Sequence, residues 1–159
     1  CETCDAGVSD GLNQQGVGML ISTEANKARQ GYDTVGRRII KARFKTTHGK
    51  ATVIQVYAPT ADCADSVSDE FYALLQQTVN NTSNTDLMVI MGDFNAQVGT
   101  DWKTWKGAIG KFGHGEENER GERLLQFCLN NNLKIMNTVF YQRKANRKWT
   151  WESPNGKNT

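Results

Sequence analysis

Apolar residues along this chain come in short runs, and their spacing switches between a strand-like and a helix-like period. Leu87-Met88-Val89-Ile90-Met91 is an unbroken apolar run. It is too short for a helix and rich in branched side chains, so it predicts a buried strand. Gly16-Val17-Gly18-Met19-Leu20-Ile21 reads as another short strand. Residues 38–44 alternate in part, 46–50 form a polar turn, and 51–57 read as a second strand, which together predict an antiparallel hairpin. Pro59 ends it, because proline cannot continue a central ladder.

Elsewhere the period is helical. Val67, Phe71, Leu74, Leu75 and Val79 predict an amphipathic helix of about 12–15 residues. The acidic stretch 62–68 suits its N-terminus. Leu124, Leu125, Cys128 and Leu129 give a second helix, with Asn118 as its cap and Asn130-Asn131-Asn132 at its exit. Residues 133–137 and 149–151 read as strands, and Ser153-Pro154-Asn155-Gly156 as a hairpin turn. Residues 80–86 read as a loop and 24–29 as a polar connection with one helical turn. Residues 97–118 hold five glycines and predict a long loop, which Trp102 and Trp105 pin to the body more readily than they stack on a base. Residues 1–15 are a polar, exposed lead-in to one domain over 16–159. Strands, helix, strand, helix, strands in that order predict a mixed-sheet α/β fold without internal repeats.

Bulk properties narrow this picture only a little. A chain of 159 residues fits one domain, and on folding it buries about two thirds of its unfolded surface. A net charge of +2 gives no global polybasic signal. No apolar run approaches the roughly 20 residues of a membrane helix. Cys1 and Cys4 form a lone C-x-x-C without the further ligands that zinc needs, and Cys128 reads as core, so a reducing, nuclear or cytoplasmic setting is expected. The chain opens on Cys1 and closes inside a hairpin pattern, and the expectation is a piece of a longer protein.

The candidate chemistry lies in Gly92-Asp93-Phe94-Asn95-Ala96. Glycine lets the chain turn at the strand end. Asp93 and Asn95, two apart, fall on one side of a strand-like backbone. An acid and an amide so placed can orient a water and grip a phosphate. The same residues also read as a strand followed by an ordinary Asp/Asn turn. Tyr57 by itself reads as a strand tyrosine with a buried ring. His48 and His114 read as solvated loop histidines. Residues 141–159 carry Arg143, Lys144, Arg147, Lys148 and Lys157 against Glu152, a local +4 interleaved with Trp149 and Trp151. That segment is either a solvated loop or a DNA-backbone contact.

Four stretches together resemble one family. They are residues 53–60 (VIQVYAPT), 92–99 (GDFNAQVG), 118–124 (NERGERL) and 150–156 (TWESPNG). In that order they are similar to the endonuclease domain of RTE-type non-LTR retrotransposons, within the endonuclease/exonuclease/phosphatase superfamily. The resemblance implies a four-layer α/β sandwich like that of deoxyribonuclease I, here partial. It implies metal-dependent hydrolysis of DNA phosphodiester bonds with Mg²⁺ or Mn²⁺ and without a membrane. Asp93 would deprotonate the water, Asn95 would bind a phosphate oxygen or share the metal with Asp93, and Tyr57 would hydrogen-bond the scissile phosphate. Thr150, Trp151, Arg147 and Lys148 would contact substrate. A metal-binding glutamate and an Asp-His pair of the family pattern are expected outside this chain. Glu2 only superficially matches the former. A reverse transcriptase domain in the parent protein is also implied, with the nicked 3′-hydroxyl as its primer. The rival readings are a decayed or domesticated non-catalytic module that binds nucleic acid or protein, and a phosphatase of the same superfamily.

Overall fold

The computed structural model describes Glu2–Asp5 by its backbone and residues 16–141 in full. Two compact units are present, Cys1–Asn95 and Ala96–Thr159.

In the first unit, β1 (Glu2–Asp5) pairs antiparallel with β2 (Gly18–Ile21). The sequence predicts only a lead-in loop or edge where β1 lies. Ser22 then caps α1 (Thr23–Ala28), its hydroxyl accepting the Ala25 N–H at 3.2 Å. A four-stranded sheet follows in the order β3-β4-β5-β6, formed by Arg29–Thr34, Ile39–Thr46, Gly49–Tyr57 and Leu87–Asp93. The first three strands are antiparallel and β5–β6 is parallel. A parallel pair needs a crossover connection, and α2 (Asp65–Asn80) supplies it.

Strand alternation sorts the side chains of the sheet. Cross-strand partners share a face, so Ile39, Ile54 and Val56 point one way and Ile40, Ala42 and Val53 the other. Ile39, Ile40, Ala42 and Ile54 are fully buried, so the centre of the sheet is covered on both sides. On the second face Ile40 and Ala42 cluster with Val17, Met19 and Ile21, which packs β2 against the sheet. The first face is the one available to α2, whose Phe71, Tyr72 and Leu75 are buried. Helix, sheet and sheet make an α/β arrangement, part of the expected sandwich.

The structure corrects several expectations. β6 is an edge of the described sheet rather than a buried strand, with Leu87, Val89 and Met91 exposed on one face. The buried side of α2 is Ser68, Phe71, Tyr72, Leu75 and Thr78, so Val67 is left exposed and the face is turned toward small polar residues. β3 was not legible: its Arg-Gln-Gly-Tyr-Asp-Thr sequence is mostly exposed and carries no apolar period.

In the second unit the long glycine-rich stretch is organised by short ladders. β7 (Val98–Gly99) pairs with β8 (His114–Glu117). Trp105 Nε1 donates to Glu117 at 2.6 Å, and Lys111 lies over the Trp102 ring at 5.1 Å. The helix α3 (Glu119–Asn130) buries Leu124, Leu125, Phe127 and Cys128. Burial pushes the Cys128 thiol up to about 11, as suits a core residue. Asn132 takes the left-handed conformation at the helix exit, with φ 53°. Residues 133–137 do not form the expected strand. Ile135 N–H donates to the Ala108 carbonyl at 2.8 Å, and Met136–Thr138 closes into a 3₁₀ turn with Thr138 buried. The strand expected at 149–151 and the turn at 153–156 lie outside the described residues. Among the described residues, no helix is long and apolar enough to cross a membrane.

Candidate active site

The sheet ends in a row of three side chains. Tyr57, the last residue of β5, stands opposite Asp93, the last residue of β6. On its other side Tyr57 N–H donates to the Arg38 carbonyl at 3.0 Å, which continues the β4–β5 register by one pair. Arg38, Tyr57 and Asp93 therefore belong to the same face of the sheet. The Arg38 guanidinium donates to the Tyr57 carbonyl at 3.3 Å and lies 5.5 Å from the centre of its ring. Tyr57 is half-buried against the β2 cluster, whereas Asp93 is exposed.

Asp93 and Asn95 are brought together by a turn, not by strand alternation. Regular strand geometry stops at Asp93, and Asn95 takes φ 47°. In that conformation Asn95 N–H donates to Asp93 Oδ1 at 2.9 Å. Its side-chain Nδ2 donates to the Ala58 carbonyl at 2.8 Å. The Ala58 N–H in turn donates to the Asp93 carbonyl at 2.8 Å. The Asp/Asn turn and the candidate reactive pair are thus one structure. Asparagine tolerates this left-handed conformation better than most non-glycine residues, which lets the chain turn here.

Gly92 serves this geometry differently from the turn role expected of it. It lies inside β6 at φ 138°, where a Cβ would fall 1.9 Å from the Val56 carbonyl oxygen. Only glycine lets β6 run this close to β5 just before Asp93.

The other half of the resemblance is architectural in the second unit. Asn118 Oδ1 accepts both the Gly121 N–H at 2.8 Å and the Gln97 N–H at 3.1 Å. Asn118 N–H donates to the Gln97 carbonyl at 3.1 Å. A Cβ on Gly121 would lie 1.7 Å from that same carbonyl oxygen. The Asn-x-x-Gly pattern thus caps α3 and fastens the segment that follows Asn95.

Thr150, Trp151, Arg147 and Lys148 lie outside the described residues. His48 and His114 are exposed, in the β4–β5 turn and in β8. Among the described residues no three His, Cys, Asp or Glu side chains gather into a metal cluster. Asp93 and the Asn95 Oδ1 are hard oxygen donors of the kind Mg²⁺ takes alongside water and phosphate. Sequence reasoning passed over Arg38, whose signal lies in the hairpin register that sets it opposite Tyr57.

A carboxylate, an amide and a phenol at the end of a mixed α/β sheet define a nuclease-type domain when they occur with the matching family pattern. The family model described as endonuclease-reverse transcriptase matches residues 51–159, and the chain belongs to that family. Craniofacial development protein 2 of Bos taurus is 38% identical over 146 residues, which is 92% of this chain and 24% of the relative. The same protein of Tragulus javanicus is also 38% identical, with 25% of its length covered. The chain therefore spans a quarter of the length of these curated relatives. The solved endonuclease domain of TRAS1, a telomere-specific non-LTR retrotransposon, is 17% identical over 60% of this chain and 37% of its own, with a TM-score of 0.43.

Proposed function

We propose that this chain carries the water-activating part of a metal-dependent endonuclease that hydrolyses DNA phosphodiester bonds. The observation that carries this reading is the Tyr57–Asp93 row with Asn95 locked beside it. Asp93 Oδ1 is held by the Asn95 N–H, and Oδ2 remains to accept the proton of an attacking water. Tyr57, half-buried at the strand end, donates its hydroxyl proton to a phosphate oxygen as negative charge builds there. The Asn95 amide uses one N–H on Ala58 and presents the second to the phosphate. Asp93 and the Asn95 Oδ1 would hold Mg²⁺ or Mn²⁺, which when bound polarises the phosphoryl oxygen. DNA is the proposed partner, and a reverse transcriptase domain elsewhere in the parent protein is the proposed consumer of the nicked end. A nuclear or cytoplasmic location follows from that use.

Nicking of supercoiled plasmid with Mg²⁺ tests this, with the chain beside its Asp93→Ala variant. Nicking that disappears in the variant supports the reading. Nicking that survives in the variant contradicts it. If neither the chain nor the full-length parent protein nicks, the non-catalytic binding module becomes the better account.

A further inference from the structure

The strand on the opposite side of the sheet from β6 is an edge that the proposed reaction leaves unused. We propose that β3 is a docking edge for an extended acidic peptide of another protein, which adds to the sheet as a further strand. This goes beyond the nuclease reading and does not rest on it. Among the described residues β3 has a neighbouring strand on one side only, and Gly31, Tyr32, Asp33 and Thr34 are exposed. Val35 N–H donates to the Ile39 carbonyl at 2.8 Å, so the bonded pairs of the β3–β4 register fall at Val35, Asp33 and Gly31. Tyr32 and Thr34, which alternate with them, turn their N–H and C=O groups outward. Such a row of donors and acceptors is a template for one more strand.

Charge and space select what adds. Residues 29–46 carry Arg29, Arg37, Arg38, Lys41, Arg43 and Lys45 against one acid, Asp33. Asp86 matches Arg43, and Asp33 lies 3.7 Å from Lys41. Exposed cations stand at both ends of the edge. Arg37 lies just past the finish of β3, and Lys45 lies beyond its start, facing Lys50 across the next ladder. A second copy of β3 laid antiparallel would set Arg37 of each copy toward Lys45 of the other, and like charges oppose that pairing. A phosphate backbone offers acceptors for the outward N–H groups but no donors for the outward carbonyls. A peptide with acidic ends satisfies both. Beside the strand, Gly31, Asp33, Asn81, Thr82 and Ser83 help to line a recess of about 350 Å³. A Cβ on Gly31 would meet nothing within 4 Å, so that wall is open. Every second side chain of an added strand falls on that face, and a small polar one such as threonine suits the lining.

The test uses a short fluorescein-labelled peptide with alternating threonine and valine at its centre and aspartates at both ends. It is titrated with the 159-residue chain without divalent metal, with binding read by anisotropy and its place by NMR amide shifts. Saturable binding is expected, with the largest shifts at residues 31–35. Thr34→Pro removes an outward N–H and leaves the ladder to β4 intact, and it is expected to weaken binding about 5-fold or more. Arg37→Glu combined with Lys45→Glu is expected to weaken binding at low salt, by a factor that shrinks as salt rises. Lys134→Glu, at an exposed cation of the second unit, is expected to leave binding unchanged. Should Thr34→Pro not fold, the same peptide N-methylated throughout its centre is expected to lose binding to the unaltered chain. Absence of peptide binding, equal binding of the N-methylated peptide, or shifts centred away from β3 overturns the proposal. Tighter binding of a thymidine oligonucleotide at the same amides marks a phosphate site and overturns it. Self-association that Thr34→Pro abolishes marks a second copy as the occupant and overturns it too.

Discussion

The two ends of β6 are built from the same kinds of residue and finished in opposite ways. Just before its start Asp86 meets Arg43 of β4 and Thr52 of β5. At its finish Asp93 shares a row with Arg38, just before β4, and Tyr57 of β5. The first trio is closed. Arg43 grips Asp86 with two nitrogens at 2.7 and 2.8 Å, and the Thr52 hydroxyl donates to the same carboxylate at 2.8 Å. The Asp86 side chain has no exposed surface, and the Arg43 hydrogen bonds hold its carboxyl below the ordinary carboxylate range. The second trio is open. Asp93 is exposed, and Arg38 lies on the tyrosine ring. An acid whose acceptors are taken up by a bidentate arginine and a hydroxyl can hold a fold together but has little left for a substrate. Openness, rather than the presence of an acid, a base and a hydroxyl, separates the candidate reactive end from the structural one.

The sharpest way to break this comparison is to neutralise each acid in turn. Asp93→Asn is expected to lower plasmid nicking by about 100-fold or more, the scale of a lost general base, with the melting temperature almost unchanged. Asp86→Asn is expected to do the reverse, melting clearly earlier while nicking per folded molecule is kept. Gly92→Ala tests how β6 reaches the open end. With a Cβ 1.9 Å from the Val56 carbonyl oxygen and φ at 138°, it should cost about 3 kcal/mol in urea unfolding.

Asn118→Ala is a smaller test of a motif residue that acts through structure. Loss of the α3 cap should cost about 1 kcal/mol, read by the same unfolding curve. The subtlest effect lies along the pH axis. The folded-state pKa of Asp86 is depressed by Arg43, so its contribution is present above the unfolded carboxylate value of about 3.9 and fades as pH falls through the folded value. The stability gap between the chain and Asp86→Asn should therefore be widest near neutral pH and shrink in acid.

The sequence shows most where burial imposes a period. The β4–β5 hairpin, both longer helices, the Asn118 cap and the Asn130-Asn131-Asn132 exit all follow patterns whose physical cause is local. β3 escaped because an exposed edge strand needs no apolar alternation. Residues 133–137 misled because an Ile135 backbone bond to Ala108, distant in sequence, leads into a 3₁₀ turn where the apolar pattern suggests a ladder. At the candidate site the residue types of Asp93, Asn95 and Tyr57 were legible and their assembly was not. The positive φ of Asn95 and the close approach of Gly92 to Val56 depend on neighbouring backbone. Arg38 was invisible for the same reason, since its meaning comes from the residue across the ladder.

If the Asp93 end is open and accepts the proposed metal while the Asp86 end is closed, a paramagnetic ion should tell the two apart. Mn²⁺ titrated at low ratio into isotope-labelled protein tests this most directly, because NMR amide signals broaden with proximity to the bound ion. The two acids lie seven positions apart on an extended strand, about 23 Å, which is far enough to resolve. Tyr57, Asp93 and Asn95 are expected to broaden first, while Arg43, Thr52 and Asp86 stay sharp. Broadening centred on Asp86, or spread evenly over both ends, would contradict it.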